Sequence, residues 1–192
     1  MDRPFEYRIE MLSDWHIGSG LDSATDANAL VLKDERDLPY IPGKTIKGLL
    51  RDALNDMLDA GASAKNPVRE ELIQKIFEGL PDKKPKMGTA FFSNAVLPKE
   101  DAKAIEAYGL SDFLYRKIAS TAIDKNGVAK HQSLRVIEVT MPLSLKGTIE
   151  GLETEEEIEL MKDALKWVRH LGLNRNRGLG RCKFIYSETS HT

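Results

Sequence analysis

Tyr40-Ile41-Pro42-Gly43-Lys44-Thr45-Ile46-Lys47-Gly48-Leu49-Leu50-Arg51 turns an extended chain into a helix, and the order of elements is read outward from that turn. Pro42 lacks an N–H to donate and Gly43 lacks a side chain, so regular structure breaks here. Thr45 is placed to cap the helix that follows. Its apolar positions Ile46, Leu49, Leu50, Ala53, Leu54, Met57 and Leu58 recur at helical spacing, and Gly61 is its expected C-cap. Upstream, Phe5, Tyr7, Ile9 and Met11 alternate with Glu6, Arg8 and Glu10, the pattern of a half-buried strand. That strand runs out at Gly18-Ser19-Gly20; a small, polar loop from Leu21 to Asn28 follows, and then a short apolar strand, Ala29 to Leu32.

Downstream, Asn66-Pro67 opens a short helix with Glu70 as the cap's reciprocal partner, closed by Gly79 and Pro81. Thr89 to Leu97 reads as a buried strand and Pro98 to Tyr108 as a helix. Two β-leaning arms between Lys117 and Glu138 flank Asp124-Lys125-Asn126-Gly127, whose Asn-Gly pair predicts a hairpin. Met141 to Ile149 is a further strand. Thr154-Glu155-Glu156-Glu157 is a capping box with acids where the helix dipole favours them. Ile158, Met161, Leu165, Val168 and Leu171 continue that helix to Gly172, and a last strand covers about Gly180 to Tyr186. Without the insertions the order is strand, helix, strand, strand, helix, strand: an α+β, ferredoxin-like (RRM-like) core. That fold hosts many functions and decides none.

Composition narrows the classes. Hydrophobic residues make up 41% and charged residues 30%, a balance typical of a soluble globular chain. There is no bilayer-length apolar run and no signal-peptide core, so a cytoplasmic protein without membrane contact is expected. Cys182 stands alone, and His16, His131, His170 and His191 lack metal-ligand spacing; no structural metal is expected. The net charge of −2 speaks against nucleic acid until its distribution is examined. Between Ala164 and Tyr186 stand Lys166, Arg169, Arg175, Arg177, Arg181 and Lys183 with no acid among them. Arg116, Lys117, Lys125, Lys130 and Arg135 form a second basic stretch around Asp124 alone, while acids gather at Glu153, Glu155, Glu156, Glu157 and Glu159. Such segregation suits a polyanion on one side, although a solvated face is the plain alternative.

Two segments suit phosphate. In Leu171-Gly172-Leu173-Asn174-Arg175-Asn176-Arg177-Gly178-Leu179-Gly180-Arg181, the glycines allow close backbone approach and the arginines offer forked donors. A helix cap plus a tight turn would explain Gly172 without explaining the arginines. The helix start carries Lys44, Thr45 and Lys47 beside N–H groups that favour an anion, without the spacing of a P-loop. Gly48 weakens its helix by up to about 1 kcal/mol, so close packing or a ligand's approach should account for it.

Four stretches, in order along nearly the whole chain, resemble the RAMP superfamily of CRISPR proteins. Tyr40 to Arg51 is similar to the family's Pro-Tyr-Ile-Pro-Gly signature with its following Lys-Gly, and Gly178-Leu179-Gly180 to its C-terminal glycine-rich loop. His16-Ile17-Gly18-Ser19-Gly20 resembles the end of the family's first strand. Ala122-Ile123-Asp124-Lys125-Asn126-Gly127-Val128-Ala129 resembles a region of the type III backbone subunit.

The resemblance implies one RAMP domain over 1–192, with core segments at about 4–60, 87–97 and 139–187, a helical lid at about 62–86 and a thumb hairpin at about 110–138. It also implies a guide (cr)RNA-binding, Cas7-like backbone subunit that pairs with copies of itself in a filament and with other effector subunits, and presents target RNA. His16, Gly18, Ser19, Gly20, Lys44, Thr45, Lys47, Arg51, Asn174, Arg175, Arg177, Gly178, Gly180 and Arg181 would hold RNA. The thumb would use Ile123, Lys125, Asn126, Val128, Lys130 and His131, with Ile123, Val128 and Leu134 as apolar wedges.

Slicing members use a loop aspartate with Mg²⁺ or Mn²⁺, at a fixed distance before a strand and a Lys/Arg-Asp pair, here Lys33-Asp34. That spacing lands on Asn28; Asp26 is the best catalytic candidate and Asp22 the second, and the shifted spacing favours weak or absent slicing. A metal-independent guide-processing endoribonuclease using His16 is the alternative.

Overall fold

The computed structural model describes residues 4–18, 29–60, 67–78, 88–130 and 133–186. Ser19, Gly20, Asp22, Asp26, Gly61, Asn66, Gly79, Pro81 and His131, all singled out above, lie outside them. Strand β1 is Phe5–Met11, with Tyr7, Ile9 and Met11 buried and Glu6 and Arg8 exposed, the alternation that the sequence predicts. Helices α1 (Gly43–Asp59) and α2 (Pro67–Phe77) precede strand β2 (Phe91–Phe92) and helix α3 (Lys99–Tyr108). Strands β3 (Tyr115–Ser120) and β4 (Arg135–Thr140) form the hairpin; β5 (Ser144–Glu150), α4 (Glu155–Trp167) and β6 (Cys182–Tyr186) complete the chain.

The main sheet has the order β2-β5-β1-β6, every neighbouring pair antiparallel, while β3 and β4 make a separate two-stranded sheet. The first and third core strands are thus central, as a ferredoxin-like α+β fold requires. Ile9 stands opposite both Leu145 and Phe184. On this face α1 lays Ile46, Leu50, Ala53 and Leu54, and α4 lays Leu160, Met161, Ala164 and Leu165. Each fully buried Ile or Leu contributes roughly 1.5–3 kcal/mol by leaving water. No helix among the described residues is long and apolar enough to cross a membrane.

Several boundaries differ from the sequence reading, each for a local reason. The cap of α1 is Pro42, whose carbonyl accepts the N–H groups of Thr45 (2.9 Å) and Ile46 (3.1 Å); the Thr45 side chain makes no cap bond. Gly43 is required because a Cβ there would lie 2.0 Å from the Phe92 carbonyl oxygen. The strand expected over Thr89–Leu97 keeps a ladder only at Phe91–Phe92. Beyond it Asn94 turns its Oδ1 to the Gly43 N–H (2.9 Å), and Ala95 pairs with Ile41 while Val96 pairs with Lys146. Ala29 to Leu32 forms single bridges, Ala29 to Ile137 and Val31 to Gly18, instead of a strand. Helix α4 has its Thr154–Glu157 capping box but ends at Trp167, where Val168 turns extended while its N–H still bonds to the Ala164 carbonyl. Gly172 turns the chain further on, at φ 80°.

Candidate nucleic-acid interface

The glycine-rich segment folds back on residues 12–17 through its main chain. Leu173 N–H donates to the His16 carbonyl (3.0 Å), Gly180 N–H to that of Asp14 (2.7 Å), and Leu12 N–H to that of Arg181 (2.8 Å). Ser13 Oγ accepts the Arg181 N–H at 3.0 Å. Two glycines are dictated by this packing. A Cβ on Gly180 (φ 70°) would sit 1.8 Å from the Leu171 oxygen, and one on Gly172 would sit 2.3 Å from the His16 oxygen. Asn174 and Gly178, both left-handed, bracket a 3₁₀ turn at Arg175–Arg177. Arg175, Arg177 and Arg181 are therefore thrown outward and exposed on a docked backbone. Nothing within 4 Å among the described residues would meet a Cβ on Gly178, so packing against them does not explain that glycine beyond its φ of 87°.

The start of α1 presents Lys44, exposed, and Lys47, half-buried, on a cavity of about 430 Å³ shared with Phe77, Thr89 and Phe91. Its first N–H is not open to an anion, since Gly43 donates to Asn94. Arg51 lies a turn or two along, exposed and 3.8 Å from Asp52. Gly48 has nothing within 4 Å of its would-be Cβ among the described residues, so close packing there does not account for it.

The hairpin reaches out from this body. Asp124 Oδ1 accepts the N–H groups of Asn126 (2.8 Å) and Val128 (3.0 Å), and Gly127 adopts φ 79°, which builds the tip as a side-chain-locked turn. Ile123, Val128 and Leu134 are 66%, 60% and 64% exposed, so they pack against nothing large among the described residues. Lys125 and Lys130 flank them, also exposed.

The root of the hairpin is where the sequence reading was blind. Asp14 is 6% exposed and its carboxylate takes Nε of Arg116 at 2.7 Å together with the same guanidinium's Nη2. Trp15 exchanges both main-chain bonds with Thr140 (3.0 and 2.8 Å) and donates Nε1–H to the Met141 carbonyl at 3.2 Å. His16, 3% exposed, donates Nδ1–H to the Glu138 carbonyl at 2.7 Å. Glu138 in turn accepts the Val31 N–H (3.0 Å) and Lys33 Nζ (3.0 Å), and Lys33 lies 3.8 Å above the Tyr115 ring. Burial first, then the carboxylates of Glu138, Asp37, Asp34 and Asp112, pushes the Tyr115 phenol well up; its hydroxyl donates to the Asp37 carbonyl at 2.7 Å. Asp14 and Arg116 stand 102 positions apart, a separation that no local pattern reveals.

His16, expected from the sequence to hold RNA, is instead packed beneath the glycine-rich loop at 3% exposure, with its imidazole turned to the hairpin and not open to a ligand. Asp22 and Asp26 lie outside the described residues, between Gly18 and Val31, which bridge to each other. Among the described residues no three possible ligands gather as a metal site, and the carboxylates of Asp14 and Glu138 are engaged by Arg116 and Lys33.

Comparison with known proteins gives the family and the fold. A sequence profile described as the RAMP superfamily matches residues 8–183. A protein of Streptococcus thermophilus named "CRISPR system Cms endoribonuclease Csm3" is 26% identical over 191 residues, covering 94% of this chain and 86% of that protein. Among solved structures, a chain of a Type III-B Cmr-beta complex bound to cognate target RNA aligns with TM-score 0.70 at 13% identity, over 96% of this chain and 97% of that one. A chain of the apo state of Cmr-beta aligns with TM-score 0.68 at 14% identity, over 97% and 98%. At such identities the structural likeness speaks to the fold alone.

Proposed function

The chain belongs to the RAMP superfamily, and from that premise we propose that it is a backbone subunit of a type III CRISPR effector complex. It binds the guide RNA and positions complementary target RNA, in contact with copies of itself and other subunits. The observation that carries this reading is the glycine-rich loop: its backbone is docked by its glycines while Arg175, Arg177 and Arg181 face solvent. Forked, exposed guanidiniums on a fixed backbone suit a phosphate chain and need no base contacts. The relative named as an endoribonuclease supports the same reading, and the whole-length likeness to a solved chain supports the fold on which it rests. Pairing within the guide–target duplex would read sequence, leaving shape and backbone to the protein.

Target cleavage is the finer part of the proposal. Asp26, or else Asp22, would hold a divalent cation together with phosphate oxygens of the RNA; such an ion would stabilise charge developing at the scissile phosphate. The guide-processing alternative relies on His16, whose burial and bond to the Glu138 carbonyl speak for a positioning part. The test is cleavage of guide-complementary RNA by the assembled complex with Mg²⁺, wild type against Asp26→Ala. Regularly spaced products that vanish in the variant support this subunit as the slicer. Products that survive, or a metal-free activity on guide precursors, contradict that assignment.

A further inference from the structure

Residues 14–16 bind two different things with two different parts of themselves. The main-chain carbonyls of Asp14 and His16 accept N–H groups from the glycine-rich segment, Gly180 and Leu173. Their side chains run instead to the hairpin, Asp14 to Arg116 on β3 and His16 to the Glu138 carbonyl on β4. Trp15 between them zips to Thr140 on β4 through both main-chain groups. In extended chain, residues two apart point the same way, so Asp14 and His16 form a matched pair of side-chain bolts.

Packing alone gives no reason for them. A buried carboxylate and a buried imidazole are poor fillers compared with apolar residues of their size. Arg116 leaves 60% of its side chain in solvent while Asp14 is 6% exposed, so the buried carboxylate has its charge partner on the hairpin.

We propose that Asp14 and His16 are positioning residues that fix the hairpin rigidly to the glycine-rich loop. This rests on the functional reading above: the loop grips guide phosphates and the hairpin meets the paired target. The bolts then set the offset between the two contacts. Each copy of the subunit would mark the duplex at a constant distance from the phosphates that it holds. Loosening them leaves guide binding intact and blurs where the hairpin lands.

The test uses assembled effector complexes carrying wild type, Arg116→Ala, Arg116→Lys, His16→Phe or His16→Asn. An asparagine amide nitrogen occupies nearly the place of Nδ1 and keeps the donor. Chemical footprinting of bound target RNA reads hairpin placement, and guide retention reads the loop. Amide exchange in the free full-length chain reads coupling directly. We expect faster exchange over 115–140 in Arg116→Ala and His16→Phe, with 172–181 unchanged. Guide is retained and the periodic footprint is lost, and His16→Asn and Arg116→Lys restore it. A sharp wild-type footprint in variants whose hairpin exchanges faster overturns the proposal, as does loss of guide and footprint together with a lowered melting temperature. A wild-type complex holding no guide would count against the functional reading beneath.

Discussion

At the scale of single residues, the glycine-rich loop divides its glycines by task. Gly180 has both a left-handed φ and a carbonyl oxygen 1.8 Å from where a Cβ would stand; Gly178 has the left-handed φ and open space. Strain at a left-handed non-glycine residue costs about 1–3 kcal/mol. Gly178→Ala should therefore lower stability by about 1 kcal/mol, and Gly180→Ala by clearly more, since the Leu171 backbone must also move. Urea unfolding of the two variants reads the difference; equal losses would mean that the docked loop geometry is wrong. Tyr7 gives the opposite sign. Its hydroxyl is buried without a hydrogen-bond partner among the described residues, and burial pushes the phenol well up. Because an unsatisfied buried group costs roughly 1–3 kcal/mol, Tyr7→Phe should be neutral or stabilising in thermal melts.

At the scale of elements, α4 was the most legible part of the sequence and behaves accordingly. Thr154→Ala should cost about 1 kcal/mol, the usual value of an N-cap, read by chemical denaturation. Glu157 has a second duty: fully buried, it accepts the Glu153 and Thr154 N–H groups and pairs with Lys75 Nζ at 2.8 Å, tying α2 to α4. Burial alone would raise its carboxyl, but Lys75 and the backbone donors outweigh that and hold it below the ordinary 4.5. A depressed carboxyl stabilises the fold above its unfolded value and loses that contribution as pH falls through the folded value. Stability should thus fall as pH drops below about 4.5, and Glu157→Gln should flatten that decline in urea midpoints. Periodicity and caps made β1, α1, α3, α4 and the Asn-Gly hairpin readable because those signals are local. The strand over Thr89–Leu97 was overread because Asn94 leaves the sheet to serve Gly43, a contact between residues far apart in sequence. The residue 14–16 joint was missed for the same reason: what gives Asp14 and His16 their meaning lies on β3 and β4.

At the scale of the whole molecule, the βαββαβ core sets a docked, arginine-bearing loop and an outreaching basic hairpin around one short joint, while acids concentrate on the start of α4. A net charge of −2 conceals this arrangement, and affinity for RNA should follow the local cations rather than the sum. The loop is the proposed grip on the guide. Its most direct test is the affinity of the full-length chain for single-stranded guide RNA across a salt series, wild type against the triple variant Arg175→Ala, Arg177→Ala, Arg181→Ala. At roughly 1 kcal/mol per arginine, affinity should fall about 100-fold. The slope of log K against log salt should shrink by about 2, near 0.7 for each phosphate that an arginine no longer neutralises. A folded triple variant with wild-type affinity and an unchanged salt slope would contradict it.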